Sequence, residues 1–408
     1  MEQEKPIYSL YGYVVWFVIS LFVVFAFSLN TAAGVFSGAI ENSLNLSASQ
    51  TTIAMGAFII GFALMQIPAG ALLDRFNNKL IVSCAILIMA SGAFLISRSS
   101  TIVTFSLANL VMGIGGSFAF VAAGKSVSKW FSFAAFPIMF GLTNTLSCLS
   151  TGFIHGLLID QLATNSWQSV YLMLALAGVI LCVITVIFFK EPRSQVSEKS
   201  SEKPPSLISS VMAVVRIPGL WLCALSAGLS FGALLAYVSF WYVKVQDFYK
   251  VEEPNIIFLA TLTFIGIGVG AFFWGLVAKY VKPLTTLIHS TLILGTLFLL
   301  LGIYLPHFNI NTLIFAEIIA FCIGFFLAGS QLFYTIAAEM VPKHLTGIAL
   351  SVVNTVVFLV NTLLLSLPYV FRTETSTFYN TLWLFPFCIV LSIGLLVYMK
   401  SPKQLASN

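Results

Sequence analysis

Twelve apolar runs follow one another along this chain, at 11–38, 51–73, 80–97, 101–125, 136–159 and 167–189, then at 219–243, 254–278, 284–305, 312–338, 347–370 and 379–399. A helix needs roughly 20 mostly apolar residues to cross a bilayer. In hydrocarbon a spanning segment must also satisfy its own backbone, which a helix does. Each run is therefore expected to be a transmembrane helix. The fourth is the least sharply bounded, because its end is polar. The chain is 59% hydrophobic and 8% charged, against roughly 25% charged for a soluble domain, so lipid is the expected solvent for most of it. The first run is too long for a signal-peptide core and is expected to be retained. The six cysteines all fall inside apolar runs, where a thiol acts as a small hydrophobe rather than part of a disulfide framework or metal site. The basic residues are scattered through short loops, so the net charge of +5 does not point to nucleic acid.

The twelve runs fall into two sets of six. Lys190-Glu191-Pro192 closes one span and Lys400-Ser401-Pro402 another, 210 positions on, and Asn144-Thr145 recurs as Asn354-Thr355 at that same offset. Further upstream the offset is 205, pairing Trp16 with Trp221, Gly61 with Gly266 and Gly70 with Gly275. Two stable offsets are what one insertion leaves in a duplicated chain. The expected fold is an all-α membrane protein of twelve transmembrane helices in two six-helix repeats. Repeats of this kind mark secondary transporters, with the substrate site between the halves near the bilayer midplane.

The organisation follows. Residues 1–10 form a polar N-terminus, 11–190 and 218–400 the two six-helix bundles, 191–217 a linker and 401–408 a tail. The linker is rich in Ser, Pro, Glu and Lys and is expected to be mobile. Fourteen Lys and Arg fall on the side that holds both termini and the linker, whereas Arg98, Lys244, Lys250 and Arg372 fall on the other. The positive-inside rule then makes both termini and the linker cytoplasmic in a plasma (inner) membrane.

The second span runs into Gly70-Ala-Leu-Leu-Asp74-Arg75-Phe-Asn77-Asn78-Lys79. This stretch resembles the G-x-x-x-D-R/K-x-G-R-R/K signature that joins the second and third helices of the major facilitator superfamily. The resemblance implies that Gly70, Asp74, Arg75 and Lys79, with Gly275 in the second repeat, form a conformational latch that is broken and remade during transport. Asn77 and Asn78 depart from the signature. Asn tolerates the left-handed backbone almost as Gly does, so the turn is expected to survive with one latch charge missing. The second copy, Gly275-Leu-Val-Ala-Lys279-Tyr280, keeps the glycine and exchanges the acid for lysine. Asn109 stands where the family often carries an arginine tied to proton coupling. The fifth span lacks the Gly-Pro step of drug:proton antiporters. Glu339-Met-Val-Pro342 with Gly347-Ile-Ala349 resembles the connection between the tenth and eleventh helices of the family.

An ionisable group inside a span costs about 2.5–3.5 kcal/mol on insertion scales, so each calls for a reason. Lys125 either presents positive charge to an anionic substrate or snorkels to the headgroups, five positions before Trp130. His155 and Glu317 are the candidate proton-coupling residues. The alternatives are a histidine bonded to a helix carbonyl and a glutamate reaching interfacial water. Among uncharged groups, Asn30, Asn144, Tyr237, Gln331, Tyr334 and Asn354 join Lys125 as candidate substrate-binding residues. Each fits a bond between helices as well, since an amide without a partner is costly in hydrocarbon.

The expected function is secondary active transport of a small polar or anionic metabolite by alternating access, with proton-coupled uptake. Export of an amphiphilic metabolite or drug is the alternative. No enzyme chemistry is expected, because no paired Asp or His-Glu metal motif is visible. The expected partners are a small-molecule substrate, protons and membrane lipid, with no cofactor, no metal and no nucleic acid, and the protein is expected to act as a monomer.

Overall fold

The computed structural model describes residues 10–192, 206–242, 245–246, 252–304, 313–371 and 381–398. Among them every regular element is helical. The first six long helices are α1 (Leu10–Leu44), α2 (Ala48–Arg75), α3 (Asn78–Ser97), α4 (Ile102–Trp130), α5 (Phe136–Thr164) and α6 (Trp167–Phe188). Their starts are set by local chemistry. The Ser47 hydroxyl accepts from the Gln50 N–H while the Gln50 side chain accepts from the Ser47 N–H, a reciprocal cap on α2. Thr101 and Thr104 do the same for α4, and Ser166 caps α6.

After these come a short helix α7 (Leu207–Val215), then α8 (Pro218–Ser239), α9 (Glu253–Val277), α10 (Leu284–Tyr304), α11 (Leu313–Glu339), α12 (Thr346–Phe371) and α13 (Leu384–Val397). Eleven of the described helices are long and apolar enough to cross a membrane, and α13 is a shorter apolar helix of 14 residues. The fourth span does not stop at its polar stretch but stays helical to Trp130. In the expected linker 191–217, residues 193–205 lie outside the description, as do the termini 1–9 and 399–408. The part that follows is helical from Leu207, where the sequence LISSVMAVV turns apolar again.

The outer surface is apolar. On α6, Leu176, Ile180, Val183 and Ile187 are each more than half exposed and recur at helical spacing. In water such a stripe would aggregate. In a bilayer it meets lipid tails, and helix association rests on close packing and interhelical hydrogen bonds instead.

The chain divides into two units. The first comprises residues 1–132, 150–214 and 343–351, and the second 133–149, 215–342 and 352–408. Thus α5 gives its first turns to the second unit, and α12 gives its first turn and a half to the first. Within the first unit, a Cβ on Gly61 of α2 would meet the Leu110 carbonyl and the Ile114 nitrogen of α4, and one on Gly113 would meet the Phe58 carbonyl. Within the second, a Cβ on Gly266 of α9 would meet the Phe321 carbonyl and the Phe325 nitrogen of α11, and one on Gly324 the Thr263 carbonyl. Every residue in the second set lies 205 (α9) or 211 (α11) positions after its counterpart. The duplication therefore preserves an atomic contact, two helices drawn together through glycine.

Two helices of the second unit depart from α-helical winding. Gly228–Gly232 within α8 and Tyr237–Trp241, which runs past its end, are π-helical turns. A Cβ on Gly232 would lie 2.5 Å from the Val357 carbonyl, so the first wide turn sits directly on α12. In α11, Ala328–Gln331 tightens into a 3-10 turn. Such irregularities are frequent at hinges and functional sites.

Candidate functional site

In the first unit the end of α2 meets the start of α12. Gly70 allows the approach, since a Cβ there would stand 2.5 Å from both the Gly347 carbonyl and Ser351 Oγ. One turn on, the Gly347 N–H donates to Asp74 Oδ1 at 2.9 Å and the Ile348 N–H to Oδ2 at 2.8 Å. These belong to the first N–H groups of α12, which have no partner within their own helix and lie at the positive end of its dipole. A carboxylate there satisfies both. Lys125 of α4 pairs with Asp74 Oδ1, and its Nζ also donates to the Lys343 carbonyl at 2.6 Å. Both side chains are nearly sealed, with 1% exposure for Lys125 and 5% for Asp74.

The ammonium expected either to face an anionic substrate or to snorkel is held here by a carboxylate and a carbonyl. Arg75 and Lys79 stand outside the cluster. Arg75 is exposed, with its guanidinium 6.0 Å from the Phe76 ring, and Lys79 is half-buried.

The turn after Asp74 is not left-handed. Asn77 has φ −62° and ψ 117°, and its side chain accepts from the Leu80 N–H as the cap of α3. An Asn three residues before an apolar run is a helix start signal, which outweighs the conformational tolerance inferred from the family pattern. Asn78 is the first residue of α3, and its N–H donates to Glu191 Oε1 at 2.5 Å. Glu191 Oε2 accepts from Lys129 at 2.8 Å. Glu191 thus ties the end of α6 to the start of α3 and the end of α4. The sequence marked it only as part of the repeated Lys-x-Pro ending. An acidic residue just beyond a span, facing a helix start, was the available signal.

The second unit holds the other face of the repeat. A Cβ on Gly275 would meet the Pro137 carbonyl as one on Gly70 meets that of Gly347, and these pairs are related by the offsets 205 and 210. The polar part has not been kept. Exposed Lys279 stands where Asp74 does, Pro137 has no N–H to offer where Gly347 donates, and Ile336 stands where Lys125 does. What holds α5 to α9 is close packing at Gly141 and Gly275 and a hydrogen bond from Thr145 Oγ1 to the Gly268 carbonyl at 2.5 Å.

Of the expected substrate residues, Asn144, Tyr237, Gln331, Tyr334 and Asn354 all belong to the second unit. The Tyr334 hydroxyl donates to Asn354 Oδ1 at 2.7 Å, and the Tyr334 ring lies 5.4 Å from that of Phe140 on α5. Gln331 and Phe140 border one narrow cleft. Asn144 is buried one turn further along α5, with its amide 3.6 Å from Cys148 Sγ. Tyr237 is buried at the second π turn against Tyr242 and Phe385. Asn30 is exposed on α1 in the first unit. Glu317 is half-buried in the first turns of α11. The His155 side chain lies outside the described residues. Tyr334 and Asn354 are therefore brought together and Gln331 shares a rim with their aromatic neighbour, whereas Asn30 and Lys125 belong to the first unit.

The profile of the Major Facilitator Superfamily matches residues 17–364. The chain is 24% identical over 375 residues to the uncharacterized transporter YybO of Bacillus subtilis, covering 84% of each. It is also 24% identical to the hexuronate transporter of that organism over 244 residues, 57% of each. Among solved structures it is similar to the transporter FucP in its outward conformation, with a TM-score of 0.72 and 15% identity over 97% of this chain and 100% of that one.

Proposed function

This chain belongs to the Major Facilitator Superfamily, and on that premise we propose that it is a secondary active transporter that brings a small polar or anionic metabolite into the cell by alternating access, coupled to protons. As a member of that family it is a multi-pass membrane transporter and not an enzyme. The hexuronate transporter relative favours a hydroxylated carboxylate, a sugar acid, within the proposed class. Charge asymmetry favours cytoplasmic termini in a plasma membrane, with fourteen basic residues against four. The protein works as a monomer in lipid, without a cofactor.

The observation that carries the reading is the seat of Asp74 on the start of α12. Burying two opposite charges seldom stabilises a contact more than apolar packing of the same volume would. The cluster is suited instead to a contact that must come apart. Asp74 and Lys125 both belong to the first repeat and pair with each other. When α12 leaves, the carboxylate loses two N–H donors and the ammonium one carbonyl, yet neither charge is left bare. Release then costs about three hydrogen bonds rather than an isolated buried ion, a barrier that binding of a solute can offset. Gly70, Asp74 and Lys125 form this latch, with Arg75 and Lys79 supplying positive charge beside it and Gly275 its unlatched counterpart. Asn144, Tyr237, Gln331, Tyr334 and Asn354 are the proposed contacts for the solute, with Asn30 on α1. Glu317 and His155 are the proposed proton carriers.

The test is uptake by the purified full chain in proteoliposomes, offered D-glucuronate and galactarate under an imposed pH gradient. Saturable accumulation that collapses with the gradient supports the reading. Movement of amphiphilic compounds alone, in the outward sense, would replace it with export.

A further inference from the structure

Gln331 is 5% exposed, and neither its Oε1 nor its Nε2 has a hydrogen-bond partner. A primary amide offers two donors and two acceptor sites, and leaving them unmatched away from water is costly. The chain keeps this side chain at the end of the 3-10 turn that interrupts α11. It borders a cleft shared with Phe140 and Gly141 of α5, Trp274 of α9, and Thr335 one turn further along α11. The cleft has room for a group about the size of a water molecule.

The lining decides what that group is. No residue around the cleft carries a charge, so a carboxylate or ammonium entering it would lose its hydration without gaining a counter-ion. The Trp274 indole N–H is committed to the Phe325 carbonyl at 2.7 Å. Trp274 and Phe140 therefore offer apolar surface, and Gln331 offers a donor and an acceptor side by side. A carbon-bound hydroxyl matches both, because its oxygen accepts from Nε2, its proton goes to Oε1, and its C–H neighbours meet the rings.

We propose that this cleft between α5, α9 and α11 is a hydroxyl-reading subsite of the transport path, in which Gln331 distinguishes a polyhydroxylated solute from one of the same length and charge without hydroxyls. The subsite rests on the transport reading and deepens it. The anionic end of the solute is held elsewhere, and the hydroxyl is read here.

The probes are galactarate and adipate, two six-carbon dicarboxylates that differ only in hydroxyls, with galactitol and 1,6-hexanediol as the uncharged pair. Binding is followed by ligand-induced thermal shift, and transport by counterflow in proteoliposomes. A site built to bond a hydroxyl rejects the analogue that lacks it, so wild type should prefer galactarate over adipate by about tenfold or more. Gln331→Met, close in length and apolar, should bring that ratio to within about threefold, chiefly by weakening the response to galactarate. Equal preference in wild type and Gln331→Met would overturn the subsite and leave the amide as a water site. Equal handling of galactarate and adipate by wild type would overturn it too, with the transport reading intact. If wild type handles neither acid, the sugar-acid reading fails and the uncharged pair decides. A galactitol shift lost in Gln331→Met supports the subsite, and no preference for galactitol over hexanediol overturns it.

Discussion

The backbone N–H of Gly347 donates to Asp74 Oδ1 at 2.9 Å across 273 positions of sequence. Lys125 pairs with the same carboxylate from α4. Breaking a buried pair by removing one partner costs about 3–5 kcal/mol, because the other charge is left uncompensated. Asp74→Asn and Lys125→Met should each lower the melting temperature in detergent and cut the saturated uptake rate by about tenfold or more, roughly 1.4 kcal/mol of barrier. The double substitution should be less damaging in stability than either single one. Additive losses would show that the two side chains do not act as a pair.

Gly70 and Gly34 make a matched contrast. A Cβ on Gly70 would stand 2.5 Å from the Gly347 carbonyl, whereas one on Gly34 meets nothing within 4 Å. Gly70→Ala should push α12 away from α2, weakening the Asp74 bonds and slowing transport. Gly34→Ala, at an exposed site inside a helix, should stabilise by about 0.5–1 kcal/mol through lost chain entropy. Comparing melting temperatures and uptake for the two separates steric from entropic effects.

Glu191 predicts a smaller effect than Asp74, although it has a similar number of partners. Its side chain is 30% exposed and that of Lys129 is 25% exposed, so solvent screens the pair to about 1 kcal/mol or less. Glu191→Gln should therefore lower the melting temperature slightly, more at low salt than at high, and leave the saturated rate within about twofold of wild type.

Orientation is open to direct labelling. The charge asymmetry expects Ser200 on the cytoplasmic side and Lys250 outside, both beyond the described residues. In intact cells an impermeant thiol reagent should modify Lys250→Cys and spare Ser200→Cys. The opposite pattern would reverse the topology.

Coupling is tested at Glu317 and His155. If Glu317 carries the proton, Glu317→Gln should abolish accumulation driven by a pH gradient while counterflow exchange of solute persists. Accumulation that survives in both Glu317→Gln and His155→Ala would move the coupling to other residues or another ion.

The latch and the cleft were legible to different degrees. Gly70 and Asp74 stood out because the stretch that holds them resembles the signature joining the second and third helices of the family. Their partners did not. Nothing in the sequence near Lys125 says that its ammonium meets a carboxylate 51 positions earlier and a carbonyl 218 positions later. An amphipathic side chain late in a span reads equally well as snorkelling. Asn77 was misjudged because the family pattern suggested a glycine-like turn, whereas the local sequence caps a helix.

The sequence by itself determined the solvent, the helices and the duplication. Each depends on features that are local or periodic, namely apolar runs of spanning length, capping residues at their starts, and residues recurring at offsets of 205 and 210. Even the glycine contacts of the two repeats follow from that duplication. Tertiary structure alone decided in which copy the glycine contact also carries hydrogen bonds to a carboxylate. The latch proposed at Asp74 depends on the two N–H groups that α12 presents to it, while in the second unit a proline faces Gly275 and the acid has become Lys279. It also decided that Tyr334 satisfies Asn354 while Gln331 satisfies nothing. In sequence these are equally polar residues in equally apolar helices. Whether a polar group in a membrane protein is a bond, a latch or a subsite depends on what the neighbouring helix places within 3 Å, and composition carries no record of that.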